Sequence, residues 1–384
     1  MTGENNQPLH IVLFGTADLC NARIRIMLEG LMEAGVTITY CHQSIWSNAT
    51  DRAKTGKLAM VGLAARWLWA MLVLSVRYLS LPRHDLVLVS YPGHADIWFA
   101  RAVSSLRRKP LVWDAFISAY DTVVTDRRLA GPHSLAGRLC FFADRMACRF
   151  ANLTILDTPA HASFFAATFH ITREKFAAIP VGAEAMFRSV APARAKDKPN
   201  EEEIFRVLFY GKFIPLHGIP TILEASKRLQ DSAIEITLVG TGQTAGATES
   251  WIKDNGPPNL QWLKWVDYEQ LPAFISSFHI GLGIFSAGEK AGRVIPNKVY
   301  QMLACGLPVI TRQSDAMDTF SLHPADGLTC VPAEDPEALA AAIREARERW
   351  QAGRLEAVAP SLVIGAGEVG SATKACLHSL RNGV

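Results

Sequence analysis

Short apolar runs recur along the chain and alternate with longer stretches in which apolar residues return every three or four positions. Leu9–Gly15 (LHIVLFG), Val36–Cys41, Asp85–Ser90 (DLVLVS), Pro110–Asp114 (PLVWD) and Leu153–Asp157 (LTILD) have the β-branched, nearly continuous apolar character of buried strands. The intervening stretches, to Ala34 after the first run and from about Leu135 to Phe150 before the fifth, carry helical spacing. Strands separated by helices require right-handed crossovers, so the pattern predicts a parallel sheet.

The alternation pauses over residues 190–204 (VAPARAKDKPNEEEI), rich in Ala, Pro and charge, which suits a linker. It then restarts. Strands are predicted at Phe205–Tyr210, Ile234–Val239, Leu260–Trp265, Ile280–Phe285 and Pro308–Thr311, and helices over Ile219–Leu229, Thr248–Asn255, Tyr268–Ser277, Asn297–Cys305 and 335–351. The expected fold class is α/β: two facing, doubly wound Rossmann-like domains with a cleft between them. The N-terminal, acceptor-side domain is expected over 1–189 and the C-terminal domain over 205–384, with the C-terminal helix packing back on the N-terminal domain.

Residues 58–81, LAMVGLAARWLWAMLVLSVRYLSL, are interrupted only by Arg66 and Arg77. This is nearly the 20 or so apolar residues that a spanning helix needs, but Arg66 would sit in mid-membrane at a cost of about 2.5–3.5 kcal/mol. A span is therefore rejected. Two readings stay open: a core helix, or an interfacial helix on a bilayer surface, where Arg52, Lys54, Lys57, Arg66, Arg77 and Arg83 surround Trp67 and Trp69.

Composition adds exclusions. With 49% hydrophobic and 20% charged residues, the 384-residue chain is not intrinsically disordered. Lys and Arg number 39 against 36 Asp and Glu, distributed along the chain, which disfavours a dedicated nucleic-acid binder. Seven cysteines, at 20, 41, 140, 148, 305, 330 and 376, form neither a CxxC pair nor a zinc-spaced cluster, and the odd count suits a reduced, cytoplasmic compartment. The N-terminal MTGENNQPLHIVLF has none of the marks of a signal peptide.

Candidate chemistry belongs where strands feed helices, because loops and unpaired helix N–H groups gather at the carboxyl edge of a parallel sheet. Phe14–Asp18 (FGTAD) is one such point, without a GxGxxG fingerprint. A second is Tyr210–Ile219 (YGKFIPLHGI), where Lys212, His217 and a helix start could cradle a diphosphate. The third and densest is Ile284–Lys298 (IFSAGEKAGRVIPNK), which sets Glu289, Lys290, Arg293 and Lys298 at one strand end. There Glu accepts from sugar hydroxyls and Lys or Arg neutralises phosphate.

In this order and spacing, YGKFIPLHGIPTILEA, the GTG at Gly240–Gly242, LKWVDYEQLPAFISSFHIGLGIF and PNKVYQMLACGLPVIT resemble the C-terminal domain of the retaining GT-B glycosyltransferases of family 4, the group 1 glycosyl transferases. The resemblance covers about residues 205–312. It implies metal-independent transfer of a hexosyl group from a nucleoside diphosphate sugar (UDP-sugar or GDP-sugar, a co-substrate rather than a cofactor), with retention at the anomeric carbon. No DxD motif occurs. It also implies that Gly15, Lys212, His217 and Lys298 meet the donor diphosphate. Glu289, Lys290, Ala291, Arg293, Asn297 and Gln301 are then expected at the donor sugar or ribose, and Trp265 and Val266 near the base, with packing the favoured role for Trp265.

The chain departs from the family pattern at two points. The carboxylates of a Glu-x7-Glu pattern fall on Arg293 and Gln301, and the histidine usual at one N-domain strand end falls on Phe116. Polar N-domain residues expected to orient acceptor or sugar are Asp114 first, then His94. The implied acceptor is a glycan or lipid-linked precursor, met by a cytoplasmic enzyme or one peripheral to the inner face of the cytoplasmic membrane through residues 54–83. The alternatives are a nucleotide-sugar-binding partner subunit without activity and a nonhydrolysing sugar-nucleotide epimerase.

Overall fold

A computed structural model describes residues 8–45, 57–189, 203–230, 232–320 and 326–382. The chain divides into two compact units, one comprising residues 1–181 with 366–384 and the other residues 182–365.

The first unit is built on β1 (His10–Gly15), α1 (Ala22–Glu33), β2 (Thr37–His42), α2 (Lys57–Leu79), β3 (Leu86–Val89), α3 (Asp96–Leu106), β4 (Leu111–Asp114), α4 (Leu135–Phe150), β5 (Leu153–Leu156), α5 (Pro159–Phe169) and β6 (Phe176–Ala178). All pairings are parallel, in the order β2-β1-β3-β4-β5-β6. Helix starts follow local chemistry: the Asn21, Ser134 and Thr158 side chains accept the first free N–H groups of α1, α4 and α5. The chain steps one way from β1 to β2 and the other way from β2 through β6. Right-handed crossovers therefore put α1 on one face of the sheet and α2 to α5 side by side on the other. Val12, Phe14, Val89 and Trp113 of the strands pack with Met71, Leu74 and Tyr78 of α2 and Phe165 of α5 in one core.

The second unit follows with α6 (Ala185–Arg188), β7 (Phe205–Tyr210), α7 (Ile219–Arg228), β8 (Ile234–Val239), α8 (Ala245–Asn255), β9 (Leu260–Leu263), α9 (Leu271–Ser276), β10 (Ile280–Leu282), α10 (Glu289–Arg293), α11 (Asn297–Ala304), β11 (Val309–Arg312), β12 (Leu328–Val331) and α12 (Pro336–Gln351). Its parallel order, β12-β11-β10-β7-β8-β9, is that of a dinucleotide-binding sheet. Helix α13 (Ala366–Asn382) then returns to the first unit and lies along α1. The two helices meet at glycines: a Cβ on Gly30 would lie 1.9 Å from the Ala366 carbonyl oxygen, and one on Gly370 would lie 1.9 Å from that of Gly30.

Most expected strands appear within a residue or two, and Phe205–Tyr210 and Ile234–Val239 coincide with β7 and β8. The edge strands β6 and β12 were not anticipated, because Phe176–Ala178 (FAA) and Leu328–Val331 (LTCV) are too short to show alternation. Contacts divide the chain at 181/182 and again at 365/366, whereas the expected linker lies at 190–204; of that stretch, 190–202 fall outside the described residues. Helix α2 has one side in the core, as the first of its expected alternatives requires, and an apolar side that is exposed. Ala70, Met71, Leu74 and Tyr78 are buried, while Leu68, Trp69, Leu72, Val73 and Val76 are exposed. Arg52 and Lys54 lie outside the described residues.

Candidate functional site

In each unit the strand order reverses direction at one point, between β1 and β3 and between β7 and β10, and a crevice at the carboxyl ends of such strands is where ligands settle. The two crevices are chemically opposite.

In the first unit the crevice is filled by the protein's own carboxylate. Asp96 accepts from the Thr16 backbone N–H (2.5 Å), the Thr16 hydroxyl (2.9 Å) and the Trp67 indole N–H (2.7 Å). Gly15 has φ +115°, and a Cβ there would collide with Asp96 Oδ2 at 2.4 Å, so glycine is required. The loop amide after Gly15 that could hold a phosphate is thus already bonded to an anion.

In the second unit two nitrogens are left open. Lys298 stands in the first turn of α11 with only 5% exposure, its Nζ lying 3.7 Å over the centroid of the Phe209 ring, and Nζ has no hydrogen-bond partner among the described residues. His217 is 8% exposed, and its Nδ1 likewise has none. Both converge on Gly211, whose φ of +140° brings the backbone through the gap: a Cβ there would be 3.2 Å from His217 Cε1 and 3.4 Å from Lys298 Nζ. Burial drives the Lys298 ammonium well below the usual lysine range. Burial first, then the Lys298 charge, hold the His217 imidazole well below its ordinary value, with the Lys212 backbone acting weakly the other way.

The loops around this pair are tied down. Phe285 N–H donates to the His217 carbonyl at 3.1 Å, joining the two loops of the crevice. Ala287 N–H donates to Glu334 Oε1 at 3.0 Å, and the Arg312 guanidinium donates to the Ser286 and Gly288 carbonyls. Lys212, two residues past the end of β7, is exposed. Two buried nitrogens without hydrogen-bond partners among the described residues, both able to become cations, with Lys212 exposed on the same loop as His217, could hold an anion with several acceptor oxygens.

The other expected donor residues lie around this crevice with different degrees of engagement. Glu289 is exposed and pairs with Arg293 at 3.3 Å, the two one turn apart on α10. Lys290 is half-buried on the same turn, Ala291 is buried, and Asn297 starts α11 beside Lys298. Gln301 is committed to the protein: its Oε1 accepts from the Tyr210 hydroxyl (2.9 Å), and its Nε2 donates to the Tyr268 hydroxyl (3.0 Å) and to Glu184 Oε2 (3.4 Å). Trp265 corrects the packing role expected of it. It is 74% exposed and its indole N–H reaches only Asp267 (3.1 Å), while the packed indole is Trp262, stacked on Phe213 at 5.6 Å with Lys264 Nζ over its ring. Val266, beside it, is half-buried.

Asp114 and His94 are held in networks of the first unit. Asp114, 0% exposed, forms an ion pair with the buried Arg23 (2.8 Å), which also donates to the Ile179 carbonyl at 3.1 Å. Burial raises the Asp114 carboxyl, and Arg23 opposes that rise. His94 Nε2 is 2.8 Å from Asp144, whose carboxylate also accepts from the Ser118 hydroxyl and from the Ala119 and Tyr120 N–H groups.

Sequence reading missed three contributors. Phe209 supplies the ring beneath Lys298, Glu184 brings a carboxylate to Gln301 from 117 positions away, and Arg312 fixes the 286–288 loop. Only Phe209 carried a local signal, as a core residue of β7.

Residues 204–348 match the family model described as glycosyl transferases group 1. A 152-residue stretch is 30% identical to WcaI of Escherichia coli (strain K12), named as a colanic acid biosynthesis glycosyl transferase; the match spans 39% of this chain and 37% of that relative. Among solved structures, Alr3699/HepE of Anabaena, in complex with UDP and glucose, superposes with a TM-score of 0.61 at 14% identity over 97% of this chain and 99% of its own. Sucrose-phosphate synthase of Thermosynechococcus elongatus gives 0.62 at 16% identity over 98% and 96%. At these identities the likeness is one of fold.

Proposed function

With a GT-B fold and a glycosyl transferases group 1 domain over residues 204–348 as premises, we propose that this chain is a retaining, metal-independent glycosyltransferase. It moves a hexosyl group from a nucleoside diphosphate sugar, a UDP-sugar or GDP-sugar, to a hydroxyl of a lipid-linked or polysaccharide precursor. The observation that carries this reading is the buried pair Lys298 and His217 at the reversal point of the second sheet, whose Nζ and Nδ1 have no hydrogen-bond partner among the described residues.

The chemistry follows from charge. As the bond from the anomeric carbon to the donor phosphate breaks, the leaving diphosphate gains negative charge. Groups that bind it more tightly at that moment lower the barrier. Lys298, His217 and Lys212 fill that role, the first two becoming cations as the anion arrives. The acceptor oxygen bonds to the anomeric carbon on the face that the phosphate leaves, and its proton passes to the departing phosphate oxygen. No protein base is needed in this scheme. Work at the inner membrane face, with contact through the α2 region, agrees with a lipid-linked acceptor.

A thermal-shift panel of UDP, GDP, ADP and their sugars against wild type and Lys212→Ala tests the donor. A shift with one nucleotide, reduced in the variant, is expected; none with any nucleotide would refute the reading. Product formed with an α-donor must keep the α configuration by NMR, and turnover must survive EDTA. The protein-bound amide of Gln301, standing where the family places a carboxylate, favours a second reading as a nucleotide-sugar-binding subunit without activity. Nucleotide binding with neither transfer nor donor hydrolysis would select it. Conversion of a donor without any acceptor would instead mark an epimerase.

A further inference from the structure

Among the described residues one helix, α2 over Val61–Leu79, is long and apolar enough to cross a membrane, yet it cannot span a bilayer because Met71, Leu74 and Tyr78 on one side of it belong to the core of the first unit. Its other side is apolar and open. Leu68, Leu72 and Val76 follow one another at helical spacing, with Trp69 and Val73 beside them and exposed Arg66 and Arg77 along the same border. Over 19 residues this face is about 28 Å long.

The neighbouring helices continue it. α3 and α4 lie in the same layer as α2, as the crossovers require, and Trp67 of α2 meets Phe99 of α3 at 5.7 Å. Trp98 of α3, 41% exposed, meets Phe142 of α4 at 6.2 Å. Leu135, Leu139 and Phe142 form the outward stripe of α4, with Arg138 between them, and Arg101 shares the outward stripe of α3 with Trp98.

Charge identifies the occupant. Residues 57–150 contain 13 Lys and Arg against six Asp and Glu, although the whole chain is nearly balanced. Folding sharpens the bias. Asp96, Asp114, Asp121 and Asp144 are buried, Asp85 and Asp126 half-buried, and nine arginines are exposed, so among residues 61–150 no acid is exposed. Two such faces brought together in a dimer would set arginines against arginines. An anionic lamella matches both features at once: apolar side chains enter the acyl boundary while the arginines meet lipid phosphates.

We propose that the outer face of α2, α3 and α4 is a docking surface for anionic phospholipid bilayers, holding the first unit on the membrane with α2 in the interfacial plane. This extends the glycosyl-transfer reading by stating where the acceptor hydroxyl is met, but it stands on observations of its own. The test is co-sedimentation of the full chain with vesicles of phosphatidylglycerol and phosphatidylcholine, or of phosphatidylcholine alone, with UDP binding measured in parallel.

Wild type is expected to bind the mixed vesicles, to bind phosphatidylcholine at least about tenfold more weakly, and to release as salt is raised. Arg66→Glu/Arg77→Glu and Trp69→Glu/Val73→Glu each weaken vesicle binding at least about tenfold with UDP affinity unchanged. All four positions are exposed, so the variants keep the wild-type melting temperature. Equal binding to both vesicles, or unchanged binding by either variant, would overturn the proposal. So would a wild-type dimer in light scattering that Trp69→Glu/Val73→Glu converts to monomer. Loss of UDP binding in a wild type that still binds vesicles would count against the donor reading instead.

Discussion

Lys298→Met is expected to stabilise the unliganded protein while weakening its hold on nucleotide. Methionine keeps the unbranched stem and close to the volume of lysine, so packing against Phe209 survives. What disappears is a 5%-exposed amine without a hydrogen-bond partner. Leaving such a group buried costs about 1–3 kcal/mol, so its removal should return a similar amount. For a unit of this size each kcal/mol moves the melting temperature by about 2–4 °C. The ligand side has the opposite sign. A hydrogen bond from a charged donor contributes about 1.5–3 kcal/mol, so UDP should bind about 10- to 150-fold more weakly. Differential scanning calorimetry without ligand and titration calorimetry with UDP read the two halves on the same preparation. A variant that melts lower and binds UDP as wild type does would show Lys298 to be a structural lysine and refute the anion cradle.

Three further outcomes follow. The folded state holds His217 neutral while the unfolded chain protonates it near pH 6.5, so unliganded stability falls as pH drops through that value; diphosphate binding reverses this by taking up protons, which calorimetry in buffers of different ionisation enthalpy detects and His217→Gln lowers, the uptake left in the variant being that of Lys298 and of UDP itself. Gln301→Glu places a second carboxylate about 3.4 Å from Glu184, raising the folded pKa of the pair, so the variant melts lower at pH 8, recovers near pH 5, and is rescued at pH 8 by adding Glu184→Gln. Arg23→Met leaves Asp114 buried without its cation and costs about 3–5 kcal/mol in urea unfolding at pH 7, a loss that shrinks as pH falls and Asp114 protonates, and that Asp114→Leu largely repairs.

The strands with two buried faces were readable because their apolar runs needed no knowledge of partners: every residue of β8 except Glu235 is buried, and IEITLV says as much. The carboxyl-edge loops were readable too: strand and helix ends picked out Lys212 with His217 at one point and Lys298 at another, and it was the family resemblance that grouped them, with Gly15, at the donor diphosphate. What stayed hidden was decided by the partners that folding supplies. Nothing near Gly15 announces that Asp96, 81 positions on, fills its crevice, and nothing near Gln301 announces Glu184. Asp114 and Lys298 were both polar residues at element ends, one neutralised by a buried arginine and the other left alone, a difference set wholly by tertiary contacts. Trp265 and Trp262 show the same limit: three positions apart on one strand end, the first faces solvent and the second stacks on Phe213. The nearly balanced total of 39 basic and 36 acidic residues also concealed the basic bias of residues 57–150, and that burial removes the acids and leaves the arginines over residues 61–150.

The return of α13 to α1 gives the molecule an order of assembly in time. At roughly 5–20 residues per second, the ribosome finishes β6 about 10–40 s before it reaches α13. Through that interval the first unit has its whole sheet but no helix over the Gly30 seam, where Val369, Thr373 and Leu377 are later buried. The second unit, complete in sequence by residue 365, can fold in that gap. A nascent chain stalled anywhere between residues 182 and 366 therefore carries an uncovered groove shaped for one helix of its own, and the domain that begins synthesis first is the one that finishes folding last.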